Sequence, residues 1–427
     1  MKKVFFISLL FGFALVSCNS DPEENIGEQP NLPNQTEESV KNDDQKEEME
    51  ELESLILTRA QMNQVSVSND FAFRLAQATM QSNTSEVLSP LSVSYVVGML
   101  ANGVSEKTLG EVTTAMGMDN MTLSEINAYF ELMLKDLPRL DLSSELLQSN
   151  AIFVNRDYSL LDDYVNTVGK TYSADFTSLD FRLDSSVDYI NLWASDHTKG
   201  MIDKVVNFLN PAAVAYGLNA VYFKGSWVDK FDVNNTKDEA FGKGGKQVPM
   251  MHLDAQLKYA SNEYCQLLQM PYGNGAFQMT VLLPNEGIST TELMGMMNDK
   301  QFNNMLYGLS RCKTDVKIPR FETSCQLGLN DALKKIGMSS LYSPEERYAK
   351  MSMNKLTLEE MVQTARIIVN EEGSEAAAVT HWEVTSSGKE QEVKNAVFHA
   401  NRPFIYLICE KDHGIILFVG HYEGAEL

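Results

Sequence analysis

Cysteine is scarce in this chain: five residues in 427, at Cys18, Cys265, Cys312, Cys325 and Cys409. No C-x-x-C spacing occurs, and the intervals fit neither a zinc site nor a disulfide framework. The last four are expected to be buried or unpaired thiols. Histidine is nearly as thin, six in all, and none stands at ligand spacing from another, so no metal and no cofactor is expected. The motifs of common enzyme classes are also missing: there is no G-x-S-x-G, no H-E-x-x-H, no P-loop and no G-x-G-x-x-G after a strand. An enzyme is not expected. Positive charge is in short supply, 35 Lys and Arg against 58 Asp and Glu, for a net charge of −23. That balance argues against nucleic acid and against anionic membrane surfaces as partners.

The N-terminus is organised for export. Lys2 and Lys3 precede the apolar run Val4 to Val16, which is too short to span a bilayer stably. Leu15-Val16-Ser17-Cys18 resembles the bacterial lipoprotein box, which implies cleavage after residue 17 and lipidation of Cys18; an ordinary secretory signal with an incidental cysteine is the alternative. Asp21 to Glu53 carries 13 acidic and two basic residues with Pro22, Pro30 and Pro33. Such a segment buries too little apolar surface to order itself and is expected to be a tether over 18–53. Its start, Asp21-Pro-Glu-Glu, resembles signals that send some Gram-negative lipoproteins to the outer face, so a surface-exposed outer-membrane anchor is expected. The body is expected to be one domain, 54–427.

The most informative stretch runs from Val369 to Pro403. More than thirty residues there separate two strand-like runs, Ala365 to Val369 and Phe404 to Cys409, with no convincing periodic element between, and connections that long inside a compact domain are usually functional or disordered. Yet the first half also reads as a strand at period two. One face is Ser374, Ala376, Ala378, Thr380, Trp382, Val384 and Ser386, without charge; the other carries Glu375 and Glu383. A short helix capped by Ser374 is the competing reading, since Glu-Ala-Ala-Ala has good helix propensity. A segment legible both as loop and as strand points to two states.

Val369-Asn-Glu-Glu-Gly-Ser-Glu-Ala-Ala-Ala378 resembles the reactive-loop hinge of the serpins, the serine protease inhibitors. Arg402-Pro-Phe-Ile-Tyr-Leu-Ile408 and Gly414-Ile-Ile-Leu-Phe-Val-Gly-His421 resemble that family's C-terminal strands, and Leu218-Asn-Ala-Val-Tyr-Phe-Lys-Gly-Ser-Trp227 a buried strand running into a turn. The resemblance spans roughly Val65 to His421. It implies an α+β fold with three β-sheets, eight to nine helices and a long exposed reactive-centre loop at about 371–400. It implies a monomer whose partners are serine proteases. A protease attacks the loop, forms an acyl-enzyme, and is trapped when the cleaved loop inserts into the main sheet. Hinge roles fall on Glu371, Gly373, Ser374, Ala376, Ala377, Ala378 and Thr380. Counting from Glu371 puts the reactive bond at Ser387–Gly388, which suggests elastase-like or subtilisin-like targets. The loop's second half is longer than in many relatives. Lys389, implying a trypsin-like target, and Val384 or Thr385 are alternatives.

Further carry-over follows the matching motifs. Ser89 and Ser92, in Leu88-Ser-Pro-Leu-Ser92, together with Asn219, match the polar shutter where the main sheet parts, and Trp227 matches the breach where the loop begins to enter. At Gln363 the family commonly has a histidine that hydrogen-bonds across the shutter; an amide also donates and accepts, so a retuned shutter is expected. Bulky Trp382 on the inward face keeps open a non-inhibitory, substrate-like binding protein of the same fold. Locally, Asn69-Asp70 reads as a helix cap ahead of Phe71, Leu75 and Ala78, Pro90 as a first-turn residue, Val187 to Val206 as helical, and Leu327 to Ile336 as a helix stopped by Gly337.

Overall fold

Residues 50–358, 360–374 and 394–424 are described in this computed structural model. Among them run nine α-helices: α1 Arg59–Thr79, α2 Pro90–Ala101, α3 Glu106–Ala115, α4 Leu123–Asp136, α5 Asp162–Tyr172, α6 Asp184–His197, α7 Thr290–Gly295, α8 Asp299–Tyr307 and α9 Asn330–Lys335. Fifteen strands accompany them: β1 Glu86–Leu88, β2 Glu145–Asn155, β3 Ala174–Leu179, β4 Ala215–Ser226, β5 Lys237–Phe241, β6 Lys246–Ser261, β7 Cys265–Tyr272, β8 Phe277–Pro284, β9 Ser310–Pro319, β10 Phe321–Gly328, β11 Val362–Val369, β12 Gly373–Ser374, β13 Lys394–His399, β14 Phe404–Glu410 and β15 Ile416–Tyr422.

The strands form two hydrogen-bonded networks. One has six strands in the order β10-β11-β12-β4-β2-β3; the other runs β1-β15-β14-β8-β7-β6-β9-β13, with β5 also paired to β6. The three expected sheets are counted as two here for a physical reason. β6 is 16 residues long and pairs in succession with β5 over Lys246–Met250, with β9 over Met250–Tyr259 and with β7 over Lys258–Ser261, so one strand fuses two sheets.

Helix α2 lies between the networks and touches both β4 and β15. That position explains its composition: Pro-Leu-Ser-Val-Ser-Tyr-Val-Val-Gly-Met-Leu-Ala is apolar nearly all round, as a helix buried on all sides requires. Ser89 caps it and Pro90 fills its first turn. Gly98 is required by closeness, since a Cβ there would stand 2.4 Å from the Tyr172 hydroxyl. β14 and β15 are buried at every position. β2 serves two layers by its period-two alternation: Ile152 and Val154 join the main core, while Ala151 and Phe153 join a smaller one with Ile190, Trp193 and Ala194 of α6.

Several local readings need correction. The cap of α1 is Thr58, not Asn69-Asp70: Thr58 and Gln61 make a reciprocal capping box. Asn69 is inside the helix, its side chain drawn to Asp299 and to the Gly414 carbonyl. Helix α6 ends at His197, well short of Val206, and α9 starts at Asn330 because the residues before it extend β10 through Gly328. The four described cysteines are unpaired, three of them buried. No described helix is long and apolar enough to cross a membrane.

The chain's end is locked to its beginning by a buried histidine. His421, fully buried on β15, faces Glu86 of β1 in register. Its Nε2 stands 3.5 Å from Glu86, an ion-pair contact rather than a hydrogen bond, and its Nδ1 is 3.2 Å from Glu423. Burial alone would lower its pKa; the two carboxylates outweigh that and hold it above the ordinary value. A raised folded pKa stabilises the fold fully below the unfolded value near 6.5 and loses the contribution as pH rises through the folded value. The thermal midpoint is therefore expected to fall as pH is raised from about 6, and His421→Gln to flatten that slope in a pH series of melting curves. An unchanged slope would remove His421 as its source.

Candidate functional site: the hinge and the gap it enters

Strand β11 ends at Val369, and the next residues reverse tightly. The Asn370 side chain accepts from the backbone N–H of Glu372 (3.0 Å) and of Gly373 (3.2 Å), while its own N–H donates to the Gly373 carbonyl at 2.9 Å. Asparagine is suited to such a turn because its short amide mimics backbone. The reversal makes Ser374 antiparallel to Val369, and on the far side pairs Gly373 with Ser226 and Ser374 with Gly225. Ser374 is thus a strand residue; the competing helix after it lies outside the described residues. Gly373 has φ +153°, and a Cβ on it would lie 2.0 Å from the Gly225 carbonyl oxygen; the docked turn needs glycine there.

The docked residues are held by name. Ser374, 1% exposed, meets the Tyr272 hydroxyl at 2.7 Å. Burial pushes the Tyr272 pKa far up, so the phenol stays neutral and able to donate. Its ring stacks on Trp227 with centroids 4.3 Å apart. Trp227 in turn donates from Nε1 to the Asn370 carbonyl (2.9 Å) and from its backbone to the Glu372 carbonyl (2.8 Å). The buried Glu371 carboxylate accepts from the Arg320 guanidinium at 2.5 and 3.1 Å and from the Thr236 hydroxyl at 2.6 Å. Desolvation works to raise its pKa, but these donors prevail and hold it below the ordinary carboxylate value. Glu372, more exposed, pairs with Lys230 at 2.7 Å.

Beneath this two-residue rung, β4 and β11 have no register pairs with each other among the described residues. Where Gly373–Ser374 sit, one strand separates them, so the two edges stand roughly two strand spacings, about 9–10 Å, apart. Facing edges at that distance are complementary to one extended chain.

The polar residues expected at the shutter are linked to the two sides of this gap through α2. Gln363, on β11, binds Ser89 twice: its Oε1 accepts from the Ser89 N–H at 2.9 Å, and its Nε2 donates to the Ser89 carbonyl at 3.0 Å. From the other side the Ser92 hydroxyl donates to Asn219 Oδ1, Asn219 Nδ2 donates to Asn150 (2.8 Å), and Asn150 Nδ2 to the Tyr172 carbonyl (2.7 Å). No bond joins Gln363 to Asn219 among the described residues. Gln363 instead reaches the start of α2, where its planar amide matches the N–H and C=O of Ser89. The expected roles of Ala376, Ala377, Ala378, Thr380, Trp382, Val384, Thr385, Ser387, Gly388, Lys389 and Cys18 lie outside the described residues. Tyr272, Arg320, Thr236 and Asn370 were given no role from the sequence, although Asn370 sits inside the hinge motif Val369–Ala378.

Comparison with known proteins decides the family. The family model described as Serpin (serine protease inhibitor) matches residues 66–424. The chain belongs to the serpin family. It is 30% identical over 361 residues to an uncharacterised serpin-like protein of Thermococcus kodakarensis, covering 83% of this chain and 84% of that one. Among solved structures it is similar to the thermophilic serpin tengpin in its native state, with TM-score 0.76, 25% identity and coverage of 88% and 96%. It is also similar to human thyroxine-binding globulin complexed with thyroxine, with TM-score 0.76, 27% identity and coverage of 84% and 98%. The architecture is the serpin fold, and the family is not enzymatic.

Two substitutions test the serpin's hinge and shutter. Gly373→Ala is expected to expel Ser374 from its pairing, read as faster limited proteolysis near residue 373 and altered Trp227 fluorescence; unchanged cleavage would mean that the turn tolerates a Cβ. Gln363→Ala strands the buried Ser89 N–H, while the Ser89 carbonyl keeps its bond from the Val93 N–H, and is expected to cost about 1–3 kcal/mol, read as a lowered denaturant midpoint.

Proposed function

We propose that this serpin is an irreversible suicide-substrate inhibitor of serine proteases. The observation that carries the reading is the rung at Gly373–Ser374: the chain that leads into the reactive loop already occupies the top of a strand-wide gap. The protease serine attacks the carbonyl of the reactive bond, the amide bond breaks, and an acyl ester forms while the new amine departs with the C-terminal segment. The freed N-terminal half of the loop then extends the β12 rung down the gap. Each added residue pairs backbone groups on two edges at once, so insertion is downhill once it begins. Inhibition is a race between insertion and deacylation.

Ser387–Gly388 is the first candidate for the reactive bond, favouring elastase-like or subtilisin-like targets; Lys389 would favour a trypsin-like one, and Val384 or Thr385 remain alternatives. Ala376, Ala378 and Thr380 suit an inward face, and Trp382 is the residue that would slow insertion. The Leu15–Cys18 box and the acidic segment after it support a lipid-anchored serpin on the outer membrane of a Gram-negative-type bacterium, acting on proteases at the cell surface. The monomer is the reactive species.

A second reading, a non-inhibitory carrier of a small molecule, is favoured by a cavity of about 250 Å³ between β8, α8 and the turn after β14. Gln278, Thr280, Asn303, Tyr307, Cys409 and His413 contribute to its lining, and a thyroxine-binding globulin is among the similar structures.

The test is incubation of the serpin with elastase, subtilisin and trypsin, followed by a denaturing gel and mass spectrometry. A stable band at the summed mass with a released C-terminal peptide is expected, the peptide's first residue fixing the reactive bond. Clean cleavage with no covalent complex, and no gain in heat stability of the cleaved chain, would give the carrier reading precedence.

A further inference from the structure

A gap with its first rung in place is a strand-addition site for its own chain, and unpaired strand edges are hazards that folds restrain. The described structure contains a restraint at that point. Residues 50–57 form a strap. The Leu52 N–H donates to the Arg139 carbonyl at 2.8 Å, Arg139 Nε donates to the Glu50 carbonyl at 3.2 Å, and Leu55 is 4% exposed. Leu52 and Leu57 pack partly buried against the main core.

The strap grips the turn between β7 and β8. Glu51 Oε1 accepts from Asn274 Nδ2 at 2.5 Å, and the same amide donates to the Leu140 carbonyl at 2.8 Å. The buried Asp141 carboxylate accepts from the Asn274 N–H at 3.3 Å. Gly273 carries φ +50°, and a Cβ on it would lie 1.9 Å from Asp141 Oδ2, so the turn is pressed against this anchor. On its other side the turn is continuous with the hinge site. The Gly273 N–H donates to the Ser226 carbonyl at 2.9 Å, Val228 N–H to the Pro271 carbonyl at 3.0 Å, and Tyr272 bridges to Trp227 and holds Ser374.

We propose that residues 50–57 are a positioning clamp on the breach. Through Glu51 and Asn274 they fix Tyr272 and the end of β4, and so hold strand addition at Ser374 until the loop is cut. Glu50, Glu51, Glu53, Ser54 and Ile56 are exposed, so proteolysis within the strap would release the clamp from outside. The proposal rests on Gly373–Ser374 being the first residues of the added strand, but not on protease trapping.

The test uses the full chain with Glu51→Ala, a triple variant Glu51→Ala, Leu52→Ser, Leu55→Ser, and Ile56→Ser as a control at a 91% exposed position. Each is warmed below its melting point. Uncut strand addition is followed as loss of loop cleavage by subtilisin together with a gain in heat stability. The conversion rate is expected to rise severalfold in Glu51→Ala, on the order of tenfold in the triple variant, equivalent to about 1.4 kcal/mol of barrier, and not at all in the control. Melting that drops without faster conversion would overturn the clamp and leave ordinary packing. Should the triple variant fail to fold, Glu51→Ala alone decides, and an unchanged rate overturns the proposal. Neither readout needs a covalent complex, so failure to trap a protease and failure of the clamp are separately visible.

Discussion

The structure depends on a backbone pairing that, among the described residues, is confined to two positions between two facing strands. β4 and β11 face each other about one strand too far apart, joined at the top by two residues. The usual rule is that buried backbone donors and acceptors are paired. Here the pairing is confined to Gly373 and Ser374, and much around the gap keeps it there: a glycine with positive φ, an asparagine turn, a tyrosine hydroxyl and a doubly bonded carboxylate. Glu371 illustrates the economics of such a site. Taking a carboxylate out of water is costly unless donors meet it, and Arg320 and Thr236 do. The result is a hinge fixed in register by charge and free to continue as a strand.

The gap also explains why α2 is so apolar yet begins with serines. Its body must fill the space between two networks, while its first turn has to stand in for the missing strand. Ser89 and Ser92, three residues apart, take the β11 side through Gln363 and the β4 side through Asn219. A strand entering the gap has to pass this bridge. The bridge consists of hydrogen bonds, which exchange at little net cost, rather than of packed side chains, which would have to be displaced. A polar shutter is therefore compatible with opening in a way an apolar one is not.

How much of this was legible beforehand follows from what each signal measures. The run Phe404–Cys409 advertises itself because burial on both faces demands unbroken apolar sequence, whereas Leu218–Trp227, interrupted by Asn219 and Lys224, was legible through its resemblance to the family. The hinge was legible because small side chains without proline are rare in so long a connection. Strand β13, Lys394–His399, was missed: only Phe398 is buried, and Lys394, Asn395 and Val397 are exposed at a sheet edge, so no alternation stands out. The α1 cap was misassigned because Asn69 has the chemistry of a cap and spends it on a residue 230 positions away. Tyr272, Arg320 and Thr236 could not be given roles for the same reason. What matters for each is contact with residue 371 or 374, and sequence spacing carries no record of that.

On the proposed insertion mechanism, such long-range contacts locate what must break before strand addition. A native state held by a barrier rather than by its depth is governed by what must break before strand addition proceeds. Around the gap those contacts divide into two sets. Trp227, Tyr272 and Glu371 hold the rung itself and would travel with, or release, the entering strand. The β7–β8 turn, Asp141 and the segment before α1 do not touch the rung, yet they fix the framework on which Tyr272 stands. Interactions of the second kind persist in the inserted state only if the framework stays still, so they tax the transition more than either end state. A serpin with its hinge already docked needs that second set most, because the first two pairs, the nucleation step of a ladder, have been formed in advance.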